Sequence, residues 1–198
     1  MVPKNRRSIR VKDYDYAQEG AYYVTVCAND NKCVFGDVRN GKMVLNEMGK
    51  IADKCWDEIS KHFPHVELDE YIVMPNHVHG IIVIRRGTAC RARTITMECF
   101  GKPVSGSLST IIRSYKSAVT KQINAIHNTT GKRLWQRNYY EHIIRNESDL
   151  NRVQEYIMYN PAQWEEDEYY EEKDHFYSRT YVVGEVKNRD RSREENRW

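Results

Sequence analysis

Apolar positions along the chain repeat with two periods. Tyr22 to Cys27 (YYVTVC) is a run of aromatic and β-branched residues and predicts a strand. Val66 to Met74 and His77 to Ile84 predict two more, joined by the turn-forming pair Pro75-Asn76. Asn40-Gly41, within Asp37 to Met43, signals a hairpin, and Cys33-Val34-Phe35 reads as a short strand before it. From Asn46 to Phe63 the period becomes helical, with Ile51, Ala52, Cys55, Ile59 and Phe63 on one face; Asn46 caps this helix and Pro64 stops it. A longer helix runs from Ser107 to about Asn128 on the stripe Leu108, Ile111, Ile112, Tyr115, Ala118, Val119, Ile123 and Ile126. Tyr139 to Ile144 predicts a strand, and Ser148 to Tyr159 a helix that ends at Asn160-Pro161. Residues 85–106 have no period and read as a basic loop. This order predicts the α+β class: an antiparallel sheet with helices packed on one face, compatible with a ferredoxin-like arrangement. The domain is expected over residues 21–164, after a basic N-terminal extension (1–20) and before a charged C-terminal tail (165–198).

Charge changes the picture more than composition does. The formal net charge is only +3, but residues 85–145 carry +10, against −1 before them and −6 after. A concentrated basic stretch points to a localised anionic partner, with nucleic acid the first candidate; a solvated face is the plainer alternative. The five cysteines (27, 33, 55, 90 and 99) form no CxxC and match no zinc spacing, so they read as reduced thiols of a cytoplasmic protein. No apolar segment follows the basic N-terminus, and the most apolar run, Tyr71 to Ile84, is too short and interrupted to span a bilayer.

Two places can carry chemistry. In the strand His77 to Ile84, His77 and His79 share a face, about 6–7 Å apart at their Cα atoms, close enough to hold one divalent ion. Taken alone, that spacing also arises by chance. Tyr115 lies on the apolar stripe of its helix, where packing is the simplest role. If that helix covers the sheet face bearing the histidines, Tyr115 points at the ion and can act as a nucleophile. Arg113, Lys116 and Lys121 on the same helix can hold phosphates, as can Arg85 and Arg86 after the histidine strand. Trp135, Tyr139 and Tyr140, interleaved with Arg133 and Arg137, suit stacking on unpaired bases and suit a small core equally well.

The segment YIVMPNHVHGIIVI (71–84), with its His-hydrophobic-His core, resembles the signature of the IS200-like single-tyrosine (Y1) HUH transposases. More narrowly, the chain resembles their REP-associated branch through YYVTVC (22–27), MPNHVH (74–79), SYKSAVTK (114–121), WQRNYYEHIIRN (135–146) and YIMYNPAQW (156–164). The resemblance covers roughly residues 6–165. It implies a ferredoxin-like nuclease core and His77 and His79 as ligands of Mg²⁺ or Mn²⁺. It also implies Tyr115 attacking a phosphodiester of single-stranded hairpin DNA, leaving a 5′-phosphotyrosine link and a free 3′-hydroxyl. Arg6, Arg7, Arg10 and Arg137 join the expected DNA contacts, and a monomer is expected. In such transposases a third metal ligand lies one turn beyond the nucleophile; counted from Tyr115 this is Val119, which cannot coordinate, so Gln122 stands as the substitute. Val119 favours the alternative of a hairpin-binding protein with weak or lost nuclease activity, and an RNA-binding module is a third reading.

Overall fold

The structure is a computed structural model that describes residues 16–85 and 104–170. Arg6, Arg7, Arg10 and Arg86, and all but one residue of the basic stretch 85–103, lie outside the described residues.

Four strands form one antiparallel sheet: β1 (Gly20–Cys27), β4 (Val66–Val73), β5 (His77–Ile84) and β6 (Tyr140–Ile144), in the order β4-β5-β1-β6. A separate hairpin, β2 (Gly36–Arg39) and β3 (Lys42–Leu45), turns at Asn40 and Gly41, both at positive φ (52° and 69°), as a tight two-residue turn requires. Helix α1 (Glu47–Asp57) begins where the Asn46 side chain accepts a hydrogen bond from the Gly49 N–H. It tightens at Glu58 into the short α2 (Ile59–His62), so the single helix expected to Phe63 is broken once. α3 (Leu108–Ile126) and α4 (Glu147–Tyr159) follow the expected spans, with Asn146 capping α4. Residues 33–35 form no strand; Phe35 instead buries its ring against Trp135.

The expected α+β class and antiparallel sheet are observed, and β1-α1-β4-β5-α3-β6 is the ferredoxin-like order. The period of two then sorts the residues by face. Tyr22, Val24 and Val26 of β1 and Val78, Ile82 and Ile84 of β5 pack beneath α1 and α3 in the larger core. Tyr23 of β1 and Ile81 of β5 point the other way, into a second cluster with Val153 and Ile157 of α4. The expectation that the helices share one face is therefore met by α1 and α3 and not by α4. The two crossover helices fill one face of the sheet, so the last helix closes the other.

Gly80 at the sheet centre fixes how closely α1 approaches. A Cβ there would collide with the Trp56 indole, which fills the space above it and packs edge-on against Tyr115 (centroids 5.1 Å apart). Gly80→Ala is expected to cost about 1–3 kcal/mol, the usual range for overpacking a filled core. Denaturant unfolding would read this as a lowered midpoint; an unchanged midpoint would contradict the packing of Trp56 on the sheet.

Candidate functional site

His77 and His79 project from β5 onto the α4 face and are fully buried, their rings 4.2 Å apart at the centroids. Burial holds both imidazoles neutral: His77 is pushed down to about 4, with Asp167 opposing the shift, and His79 falls well below its usual value, lowered further by His77. Around them stand three tyrosines. Tyr23 stacks on His79 at 5.5 Å, Tyr156 of α4 meets His79 edge-on at 5.2 Å, and Tyr169 lies 4.8 Å from His77. The segment after α4, including residues 165–170 of the expected tail, runs back over the pair. In it Trp164 packs 5.9 Å from His77, and ligand atoms of Asp167, His77 and His79 all lie within 4.8 Å of one another. Asp167 accepts hydrogen bonds from Asn160 Nδ2 (2.6 Å), Tyr156 Oη (3.4 Å) and the Tyr169 N–H (2.7 Å).

The two sites expected from the sequence are only half united. The histidines converge, but Tyr115 lies across the sheet from them. Its side chain is 2% exposed, its hydroxyl donates to the Ala52 carbonyl at 3.2 Å, and its ring packs on Trp56 and Trp135. Burial raises this phenol well above its ordinary value. The physical reason is the register. The apolar stripe of α3 faces Val78 and Ile82, whereas His77 and His79 alternate with those residues and face away. Gln122 is on the same side of the sheet as Tyr115, donating to Cys55 Sγ at 3.1 Å, and Val119 is core.

The position facing the histidines from a helix is Tyr156, 39% exposed and therefore open to a ligand as well as to His79. One turn further along lies Asn160, 2% exposed. Among the described residues, His77 Nε2, His79 Nε2 and Asn160 Oδ1 are buried atoms with no hydrogen-bond partner. Orphaned lone pairs of this kind are costly unless something satisfies them. Two imidazole nitrogens with the Asp167 carboxylate within 4.8 Å are donors suited to a divalent ion, and Asn160, which donates to Asp167, stands beside them. The residues present thus fit a metal. The signal in the sequence was YIMYNP (156–161), which places a tyrosine and an asparagine one turn apart at the end of an amphipathic helix.

The basic residues divide. Arg113 and Lys121 are exposed on α3, across the sheet from the histidines. Lys116 instead braces the loop before β6, donating to the Gln136 and Asn138 carbonyls (3.0 and 2.9 Å) above the Tyr139 ring; burial lowers it to about 8. Arg85 pairs with Glu67 at the end of β5 far from His77. Arg137 is exposed beside Gln136, whose N–H bonds Cys27, the register partner of His77. Of the three aromatic candidates, Trp135 is core and Tyr139 packs partly buried against it. Tyr140 is 38% exposed and lies in the same cross-strand row as Thr25 and His79. No described helix is long and apolar enough to cross a membrane.

The ferredoxin-like fold of this chain is shared by a solved structure. A solved REP-associated tyrosine transposase bound to a REP hairpin has this fold, with a TM-score of 0.53 at 21% identity over 78% of this chain and 73% of that one. By sequence, the chain is 41% identical over 170 residues to an uncharacterised protein of Haemophilus influenzae, covering 84% of this chain and 93% of that protein. A second protein of that organism, named a putative REP-associated tyrosine transposase, is 22% identical over 148 residues, 75% of this chain and 73% of its own. The chain belongs to one family with the first Haemophilus protein, and its neighbours in fold and sequence are REP-associated tyrosine transposases. No protein-family profile matches it.

Proposed function

We propose that this protein is a metal-dependent single-stranded DNA endonuclease and strand transferase acting at hairpins, with Tyr156 as its nucleophile. The observation that carries the reading is the convergence, on one sheet face, of Tyr156 with the ligand atoms of His77, His79 and Asp167, both imidazole Nε2 atoms being buried without partners; Asn160, one turn beyond Tyr156, donates to Asp167. His77, His79 and Asn160 would hold Mg²⁺ or Mn²⁺, with Asp167 in reach. An ion held there would supply positive charge against the negative charge that builds on the phosphate oxygens during attack. Tyr156 Oη attacks phosphorus, the bond to the 3′-oxygen breaks, and the leaving 3′-oxygen takes up a proton. Burial and Asp167 raise the Tyr156 phenol above its ordinary value, so the hydroxyl stays protonated until a base takes its proton. Asp167 Oδ2, 3.4 Å from the hydroxyl, is placed to accept the phenolic proton. The product is a 5′-phosphotyrosine link that conserves the bond energy for rejoining.

Hairpin DNA is the proposed partner because a neighbour of the same fold was solved with a REP hairpin. The competing reading, a hairpin binder without nuclease activity, loses its support from Val119, which packs in the core and faces no ligand site. The test is incubation of the protein with single-stranded hairpins from the DNA flanking its own gene, plus Mg²⁺ or Mn²⁺, on denaturing gels. A band of protein linked to DNA supports the nuclease; binding with no linked band under either metal would make the hairpin binder the better account.

Tyr140 adds a contact. It sits two strands from His79 in one row, about 10 Å away by strand spacing, which is a suitable distance for a base beside a phosphate held at the histidines. Its ring meets Tyr23 edge-on at 6.1 Å, and the residue is 38% exposed. Tyr140→Ala is expected to weaken single-stranded DNA binding by about 1–3 kcal/mol, the range of one base stack, with Tyr140→Phe near wild type. Fluorescence anisotropy at fixed salt reads this, and equal affinity of the alanine variant would remove Tyr140 from the interface.

A further inference from the structure

Each histidine of the pair uses its Nδ1 in a hydrogen bond and keeps Nε2 unpartnered, but the two Nδ1 atoms meet different chemistry. His77 Nδ1 lies 2.8 Å from Asn76 Oδ1. Which amide atom faces His77 follows from the other end of the group. Asn76 Nδ2 lies 2.9 Å from the Asn31 carbonyl and 2.7 Å from the Tyr169 carbonyl, and only the NH₂ can satisfy two carbonyl acceptors. The amide oxygen therefore faces the ring, and an amide oxygen can only accept. Nδ1 of a neutral His77 must carry the proton, which leaves the lone pair on Nε2. Asn76 is itself held rigidly: it is 1% exposed, and its carbonyl and that of Pro75 accept from Ala28 and Phe35 (2.7 and 3.0 Å).

His79 is set differently. Its Nδ1 lies 2.7 Å from Tyr23 Oη and 3.0 Å from Thr25 Oγ1, and Thr25 in turn donates to Tyr23 at 3.1 Å. Hydroxyls donate or accept by rotating one bond, so this environment tolerates either tautomer of His79. With Tyr23 donating, the proton sits on Nε2 and the ring cannot ligate through it. With the hydroxyls accepting, Nε2 is free.

We infer that Asn76 is the positioning residue that presets His77 as a metal ligand, whereas His79 becomes one only in the tautomer whose Nδ1–H donates to Tyr23 or Thr25. This rests on the metal-site reading above. It assigns the two histidines unequal roles that their symmetric place in the motif conceals. His77 is preorganised and captures the ion first; His79 closes on it at the cost of fixing its tautomer and turning the Tyr23 hydroxyl away from Nδ1.

The test uses the full chain and two readouts. The first is the ¹⁵N imidazole spectrum of metal-free wild-type protein at neutral pH, then with Zn²⁺ as a diamagnetic probe. The expected result is His77 as a single Nδ1–H tautomer throughout, and His79 as a tautomer mixture that resolves to Nδ1–H when Zn²⁺ is added. The second is Mn²⁺ affinity by calorimetry, where Asn76→Ala should bind about 10- to 100-fold more weakly, the loss usual for an outer partner of a ligating histidine. Because the spectrum needs no substitution, a variant that folds poorly leaves the inference testable. If His77 in the metal-free protein carries its proton on Nε2, or if a folded Asn76→Ala binds Mn²⁺ as tightly as wild type, the inference is overturned while the metal site stands. If wild-type protein takes up neither ion, the metal-site reading fails and this inference falls with it.

Discussion

Tyr156→Phe is expected to abolish the covalent protein–DNA product, lowering its rate by roughly 10³-fold or more, the scale on which enzymes lose activity when their nucleophile is removed. Tyr115→Phe is expected to retain the product. The contrast follows from the two environments. Tyr156 meets His79 at 5.2 Å and keeps 39% of its surface exposed, so a DNA phosphate can reach it. Tyr115 is sealed between Trp56 and Trp135 with its hydroxyl on a backbone carbonyl, and removing that hydroxyl should cost only about 1 kcal/mol of stability. The pair of variants, assayed with hairpin DNA on denaturing gels, separates the two tyrosines. A linked band that survives Tyr156→Phe and vanishes in a folded Tyr115→Phe would reverse the assignment.

The second large effect concerns the ion. His77→Ala removes a buried imidazole nitrogen aimed into the site and is expected to weaken Mn²⁺ binding by at least about 100-fold, beyond the range typical of outer partners. Asn160→Ala, which removes a neutral amide oxygen, should cost about tenfold. Gln122→Ala should leave the affinity unchanged, because Gln122 bonds Cys55 on the other side of the sheet. Calorimetry on folded variants checks all three. A loss with Gln122→Ala as large as with Asn160→Ala would contradict the ligand set proposed here.

The element order was legible in the sequence because alternation and helical periodicity are local: YYVTVC, HVHGIIVI and the α3 stripe each declare their own structure. The shared face of His77 and His79 was legible for the same reason. Which helix covers that face was not, since it depends on how the crossovers pack. An apolar stripe states that Tyr115 points inward; it does not state which side of the sheet is inward for α3. The clue was Gly80, the small residue between the two faces, whose missing Cβ leaves room for Trp56 of α1 and so assigns the crossover helices to the side away from the histidines. Tyr156 and Asn160 were present in a stretch recognised by resemblance, but their chemistry emerges only with α4 laid over β5. The return of residues 164–170 across the site, which brings Asp167 to the histidines, has no periodic signal at all. Of the described basic residues, Lys116 is a brace for the loop before β6 and Arg85 a partner of Glu67, neither of which the charge pattern could state.

The most direct test of the central claim is to identify the residue that carries DNA. Wild-type protein would be reacted with a single-stranded hairpin and Mn²⁺, digested with protease and nuclease, and the nucleotide-bearing peptide sequenced by mass spectrometry. The account predicts a 5′-phosphonucleotide on Tyr156, within the peptide that also contains Asn160. A nucleotide on Tyr115, or on any residue away from the α4 face of the sheet, would contradict it.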